Sequence, residues 1–155
     1  MTFAVSILLM LLAMRLPLSG QAQAPWFGTW RLNTAKSTAN PDSRFKRVTL
    51  RIEPWEDGLK VTYDMVGTRG GTTHMEWTGK FDGKDYAVQG VDYVLTNAYR
   101  YLNDHSYEIT VKVDGAVAAT ATVTISADGK ILTTATKEKN AQGQDLNTIT
   151  VYEKQ

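Results

Sequence analysis

Turn-forming residue pairs at intervals of about ten residues constrain this chain more than any other feature of its sequence. Asp-Gly occurs at Asp57-Gly58, Asp82-Gly83, Asp114-Gly115 and Asp128-Gly129. Asp and Gly both tolerate the positive φ that a two-residue type I′ hairpin turn requires. Further turn signals lie at residues 70–71, 103–104 and 140–143. The chain from Trp26 onward is therefore predicted to be an antiparallel meander of short strands.

The segments between these turns alternate apolar and polar residues, which gives each strand one apolar face and one wet face. Val48, Leu50 and Ile52 show this pattern in the second segment. The predicted strands cover residues 27–33, 46–54, 59–66, 72–81, 85–89, 93–102, 106–113, 116–126, 130–138 and 146–153. No stretch of helical length carries apolar residues at helical spacing. The connection from Thr34 to Arg44 is predicted to be a loop with at most one helical turn.

The sheet is predicted to close into a barrel because only one of its faces is apolar. A flat sheet of this many strands would leave that face and both edge strands exposed, whereas a barrel removes the edges and hides the face. A two-sheet sandwich is the alternative, but it usually needs Greek-key crossovers, and short Asp-Gly hairpins favour up-and-down order. The predicted fold class is all-β, an up-and-down antiparallel β-barrel of about 8–10 strands.

Residues 1–22 differ in composition from the rest of the chain. Residues 7–12 form an uninterrupted apolar run, which is too short for a membrane span and typical of a signal peptide. Gly20 and Ala22 are small residues at the two positions that a signal peptidase reads. We therefore expect cleavage after Ala22, which leaves one domain over 23–155, secreted or periplasmic and without a membrane segment. No Lys or Arg precedes the apolar run, so a retained hydrophobic anchor is the alternative.

The composition argues against several classes of function. The chain has no cysteine, so neither a disulfide framework nor a thiolate metal site can form. Its 17 basic and 16 acidic residues are nearly balanced, which argues against nucleic acid bound by bulk charge. His74 and His105 are interpreted as surface residues, and no nucleophile-elbow or phosphate-loop motif occurs. We expect a monomer that is not an enzyme and holds no metal or cofactor. A barrel enzyme with few catalytic residues is a further alternative; it would require an inward-facing Asp, Glu or His, and alternation places none clearly inward.

The predicted inward faces supply a lining for a small ligand. On the eighth strand Val117, Ala119, Ala121, Val123 and Ile125 share one face, and the two alanines leave room. Met adapts to irregular shapes, and Tyr and Trp offer a large apolar body with one polar tip. The predicted cavity lining consists of Lys46, Tyr63, Met65, Met75, Trp77, Tyr99, Tyr101, Ala119, Ala121 and Tyr152. A solid core made of these same residues is the alternative.

The first strand resembles a motif of the calycin superfamily. Phe27-Gly28-Thr29-Trp30-Arg31-Leu32 is similar to the Gly-x-Trp signature of lipocalins and intracellular fatty-acid-binding proteins. The resemblance implies that Gly28 and Trp30 form a structural barrel-end motif, with Trp30 packed under a basic side chain from a late strand. Arg100, Lys137 and Lys154 are the candidates for that partner.

Two further stretches extend the resemblance. Residues 28–37 are similar to the opening Gly-Thr-Trp-x-Leu-Asn-x-x-Lys-Ser of small secreted bacterial lipocalin-like proteins. Thr150-Val151-Tyr152-Glu153-Lys154 resembles the closing strand of fatty-acid-binding proteins, whose Arg and Tyr clamp a carboxylate. Tyr152 matches that Tyr, but Thr150 stands where the Arg would be.

The resemblance implies an exported barrel that binds a small apolar or amphipathic molecule without the usual carboxylate clamp. A protein-interaction barrel is the alternative, such as a secreted protease inhibitor that uses residues 23–26. Trimming those residues would test this alternative, because an inhibitor that depends on them would lose its partner.

Overall fold

The computed structural model describes residues 23–38 and 45–155, so the predicted signal peptide lies outside the described residues. Every predicted strand is present, with ends displaced by two residues or fewer. The strands are β1 Gly28–Leu32, β2 Phe45–Trp55, β3 Gly58–Gly67, β4 Thr72–Gly79, β5 Tyr86–Gln89, β6 Leu95–Asn103, β7 Ser106–Val113, β8 Ala116–Ile125, β9 Ile131–Lys139 and β10 Asp145–Lys154. Within the described ranges no helix has the length and apolar character to cross a membrane.

The strands close into one barrel in up-and-down order. Each strand pairs antiparallel with its neighbours in sequence, and β1 pairs with both β2 and β10. In the closing pair Trp30 lies opposite Lys154 and Leu32 lies opposite Tyr152. This topology confirms the predicted up-and-down antiparallel barrel, and it excludes the two-sheet sandwich.

The hairpin turns use their glycines in two different ways. At the β7–β8 hairpin Asp114 and Gly115 have φ of 50° and 81°, as a type I′ turn requires. At the β2–β3 hairpin the positive φ of 49° belongs to Glu56, and Gly58 already begins β3. A Cβ at Gly58 would collide with the backbone oxygen of Gly79. The Asp57-Gly58 turn prediction was therefore wrong by one residue, because this glycine allows a close backbone approach.

The segment after β1 is a turn rather than a helix, and it is tied to β10. The backbone N–H of Asn33 donates to Val151 O at 2.8 Å, and its side-chain Nδ2 donates to Glu153 Oε1 at 2.9 Å. Lys36 Nζ reaches the same carboxylate oxygen at 2.9 Å, and Ser37 Oγ accepts from the N–H of Val151. These contacts explain the Asn-x-x-Lys-Ser pattern, since the three residues extend the β1–β10 seam. Residues 39–44 of the predicted loop lie outside the described residues.

Two register shifts correct the predicted strand faces. Between Val111 and Lys112 the β7–β8 pairing shifts, so that Val117 lies opposite Lys112 instead of continuing the inward face. Val117 is 61% exposed, and its predicted place beside Ala119 was wrong because a β-bulge inserts one residue. A similar shift between Phe45 and Arg47 in β2 leaves Lys46 exposed while Phe45 packs against the core.

Trp30 anchors one end of the barrel. Its side chain is completely buried, and its Nε1 donates to Trp26 O at 2.9 Å. Lys154 Nζ lies 5.0 Å from the centroid of the Trp30 ring, in cation–π geometry. A Cβ at Gly28 would come within 2.7 Å of Lys154 Cε, so the Gly-x-Trp motif makes room for this side chain. Lys154 is therefore the basic partner among the three predicted candidates.

Candidate functional site

The inward-facing side chains divide the barrel interior into a packed half and an open half. The register of the strands identifies the inward faces, because paired residues share a face. In the packed half most inward side chains are at most 3% exposed; these are Trp30, Leu50, Ile52, Leu59, Val61, Trp77, Tyr99, Tyr107, Val123, Ile125 and Leu132. In the open half most inward side chains are only half-buried; these are Tyr63, Met75, Val88, Asn97, Val111, Ala119, Thr134, Thr136, Glu138, Leu146 and Thr150.

The difference in exposure indicates where the interior is accessible. The sheet screens an inward side chain of a closed barrel from solvent on its outer face, so its partial exposure comes from the lumen or from the nearby end of the barrel. Ala119 lies opposite Val111 and Glu138, and all three are half-buried. On the next two strands, Thr134 of β9 and Thr150 of β10 lie opposite each other and are also half-buried. The inward side chains of this half are therefore less enclosed than those of the packed half.

Nine of the ten predicted lining residues share the inward face of the barrel. They are Tyr63, Met65, Met75, Trp77, Tyr99, Tyr101, Ala119, Ala121 and Tyr152. Lys46 is exposed beside its β-bulge. Tyr101 is 47% exposed, and its hydroxyl donates to Asp104 at the rim of the packed half. Tyr101 therefore lies on the inward face at the rim of the packed half, whereas the register does not place Lys46 on that face.

Aromatic rings form the boundary between the two halves. Trp77 stacks on Tyr99 with ring centroids 4.0 Å apart and planes at 14°, and Tyr99 continues the stack to Tyr107 at 5.4 Å. Phe81 packs against Tyr107 from the side, at 5.4 Å and 61°. Edge-on and offset arrangements of this kind add to the stability of the buried area. The stack therefore forms a rigid floor beneath the open half.

Four tyrosines on four different strands converge on this boundary, and we call them the tyrosine cluster: Tyr63, Tyr99, Tyr107 and Tyr152. Burial raises the pKa of Tyr63 to about 12. Burial, and then the proximity of Tyr63, raises the pKa of Tyr99, Tyr107 and Tyr152. Tyr63 is thus the common neighbour of the other three, and the hydroxyls stay protonated throughout the physiological range.

The tyrosine cluster differs from other tyrosines of the chain in the side-chain hydrogen bonds of its hydroxyls. Among the described residues, side-chain hydrogen bonds engage the hydroxyls of Tyr86 and Tyr101 but none in the cluster. A phenolic hydroxyl can donate one hydrogen bond and accept others. The sequence-based lining omitted Tyr107, although its alternation with Ile109 and Val111 placed it on the same face.

Threonines form a polar strip on one wall of the open half. Thr134 and Thr136 of β9 lie opposite Thr150 and Thr148 of β10, and the register turns all four inward. Sequence reasoning missed this strip because threonine occupies both faces of β9, which hides the alternation. Near the barrel opening the same face carries Glu138, which is half-buried opposite Ala119.

The segment 23–26, which the alternative hypothesis assigned to a partner protein, packs against the barrel instead. Trp26 is 5% exposed. Its ring lies edge-on to Phe81 and to Tyr107, with centroids 5.5 Å apart in both pairs. In this position the Trp26 side chain is not available for insertion into another protein.

The outer face carries an ion-pair network around His74. Its ring nitrogens lie 2.7 Å from Asp64 Oδ1 and 3.2 Å from Glu76 Oε1, and Lys60 Nζ lies 3.0 Å from Glu76 Oε2. The hydrogen bond with Asp64, and then that with Glu76, raises the pKa of His74. No group of three or more His, Cys, Asp or Glu in the described part of the chain is placed to hold a metal ion. The network is exposed and is interpreted as a solvated surface feature.

Comparisons with known proteins add little to this geometry. No family model matches the chain, and no curated protein matches it. Solved structures do match; one is the siderocalin Ex-FABP, whose structure is described as functioning through dual ligand specificities. The two share 14% sequence identity over 84% of this chain and 71% of that chain, with a TM-score of 0.38. The fold assignment accordingly rests on the strand pairing of this chain alone.

Proposed function

We propose that this protein encloses a small apolar or amphipathic molecule in the open half of its barrel. The observation that carries the proposal is the contrast between inward side chains at 3% exposure or less and half-buried side chains on the same strands. A barrel of this size can hold one small ligand when its side chains do not fill the interior. The ligand would enter from the end that carries Ala119 and Glu138.

The lining suits a ligand with a long apolar part. Met65 and Met75 lie on neighbouring strands and offer flexible apolar surface. On the other side of the barrel, the small side chains of Ala119 and Ala121 leave room for a ligand. Transfer of apolar ligand surface from water into such a site contributes roughly 25 cal/mol per Å², before ordering costs are subtracted. The aromatic floor of Trp77 and Tyr99 would limit how deep the ligand reaches.

Export is part of the proposal. The apolar run at residues 7–12 and the small residues Gly20 and Ala22 support cleavage before Gln23, with release of the barrel into the periplasm or medium. Mass measurement of the protein from the periplasmic or culture fraction of its host tests this point. A mature mass that begins at Gln23 is expected, and retention of residues 1–22 would contradict it.

A fluorescent neutral probe, N-phenyl-naphthylamine, tests the binding function directly. We expect saturable binding with blue-shifted emission, because the probe leaves water for an apolar lumen. The variant Ala119→Phe places a ring into the open half and should weaken binding by about tenfold or more, which corresponds to about 1.4 kcal/mol.

The neighbouring residue provides the matched control. Thr120 is half-buried like Ala119, but the strand pairing turns it outward, opposite Thr110 and Lys137. Thr120→Phe adds a ring at the same height on the outer face and should leave probe binding unchanged. No blue shift in the unmodified protein, or an equal loss in both variants, would contradict binding inside the barrel.

A further inference from the structure

The charges around the lumen restrict the chemical class of ligand that the proposed site can bind. Of the inward-facing strand residues in the described chain, only Glu138 and Lys154 are charged. Lys154 is exposed, and its Nζ lies over the Trp30 ring at the packed end of the barrel. Glu138 lies at the opposite end, beside the opening. Among the described inward-facing residues, the open half therefore presents no cation to a ligand.

A carboxylate in this lumen would be poorly stabilised. Removing a charged group from water is costly unless an opposite charge and hydrogen bonds replace its hydration. Thr150 offers a hydroxyl on the inward face but no charge, and it lies opposite Thr134, which is also uncharged. Glu138 at the opening would repel an incoming anion. These features oppose an acidic head group.

Neutral hydrogen-bonding groups are abundant at the same place. The tyrosine cluster brings hydroxyls to the floor of the open half, where Tyr99 is 1%, Tyr107 2% and Tyr152 8% exposed. The Oδ1 atom of Asn97 is buried without a hydrogen-bond partner among the described residues. Asn97 precedes Tyr99 by two residues on β6, so both face inward. The floor thus offers hydroxyl donors together with an acceptor that lacks a donor.

We propose that the ligand is an uncharged amphiphile whose polar end carries a hydroxyl group, held between the tyrosine cluster and Asn97. An alcohol can accept a hydrogen bond from Tyr63 and donate one to Asn97 Oδ1, whereas an ionised carboxylate has no hydrogen to donate. The apolar part of the ligand then lies against Met65, Met75 and the two alanines. This inference rests on the proposed function and specifies the ligand class of the same site.

Displacement of bound N-phenyl-naphthylamine by two probes of equal chain length, dodecanol and dodecanoate, tests the inference near neutral pH. We expect dodecanol to displace the probe at a concentration about tenfold lower than dodecanoate, because dodecanol can donate a hydrogen bond to Asn97 Oδ1 and dodecanoate cannot. One hydrogen bond changes the affinity by about this factor. Equal or tighter binding of dodecanoate would overturn the inference while leaving the proposed function standing. Failure of the fluorescent probe itself to bind would instead contradict the proposed function.

A tyrosine variant separates a specific head-group site from general apolar burial. Tyr63→Phe removes one hydroxyl and keeps the ring, so it should reduce the preference for dodecanol over dodecanoate by about threefold or more. Tyr93→Phe is the matched control, because Tyr93 is 50% exposed and outside the strands. An unchanged preference in Tyr63→Phe would overturn the role of the cluster.

Discussion

The packed half and the open half of this barrel are built from the same strands with the same alternation, yet their interiors differ. Leu132 of β9 is completely buried. Thr134 and Thr136 follow it on the same face of the strand, toward the opening, and both are half-buried. The packed half concentrates Trp, Tyr, Leu and Ile, and the open half substitutes Ala and Thr. The difference indicates that the size of the inward side chains, rather than the strand pattern, sets how enclosed each half of the interior is.

A pair of leucine truncations should show the largest difference between the halves. Leu132→Ala removes a fully buried side chain and should lower the free energy of unfolding by about 2–5 kcal/mol. Leu146→Ala makes the same change on the neighbouring strand, but Leu146 faces inward in the open half and is half-buried. Its cost should stay below about 1.5 kcal/mol. Urea unfolding measures both, and equal costs would contradict the division into two halves.

Substitutions that enlarge an inward side chain should destabilise the packed half more than the open half. A Cβ at Gly79 would lie 2.5 Å from Trp77 Cζ2 and 2.8 Å from Tyr86 Cδ2, both parts of well-packed rings. Gly79→Ala should therefore destabilise the packed half by about 1–3 kcal/mol. Ala119→Phe adds far more volume in the open half, and we expect its melting temperature to remain within a few degrees of the unmodified protein. A larger loss in Ala119→Phe than in Gly79→Ala would mean that the open half is already filled.

Alkaline pH should produce the smallest effect, at the boundary between the halves. Tyr63 has a pKa of about 12 in the folded protein, against about 10 when unfolded. Between these values the folded protein retains a proton that the unfolded chain loses, so stability falls as pH rises through this window. Tyr63→Phe should make that fall shallower in urea unfolding measured from about pH 8 to about pH 11. Tyr93→Phe should not change the slope, and a change of equal size there would contradict a buried origin.

Much of the fold could be predicted because its signals are local. Asp114 and Gly115 encode a type I′ turn by their backbone preferences, and Trp30 with Gly28 marks the barrel end. The β-bulges were not predictable, since Lys46 and Val117 follow the alternation in sequence and only the pairing with a neighbouring strand inserts the extra residue. For the same reason the sequence pointed to Lys46 as a ligand contact, and the register does not place it in the lumen.

The candidate site was only partly accessible to sequence reasoning. Parity placed Tyr63, Tyr99 and Tyr152 inward, but nothing in the chain order indicated that strands so far apart bring their hydroxyls together. Threonine on both faces of β9 concealed the polar wall. Cross-strand pairing, which is a long-range property, decided which of these threonines face the lumen.

By itself the sequence determined the all-β meander, its turns, the inward parity of most strands and the need to hide one apolar face, because these follow from backbone preference and alternation along the chain. Only the tertiary structure decided that the barrel closes through the β1–β10 seam and that Lys154 covers Trp30. It also decided which inward side chains are buried and which stay partly exposed. Packing depends on how side chains from different strands fill a shared volume, and no single strand carries that information.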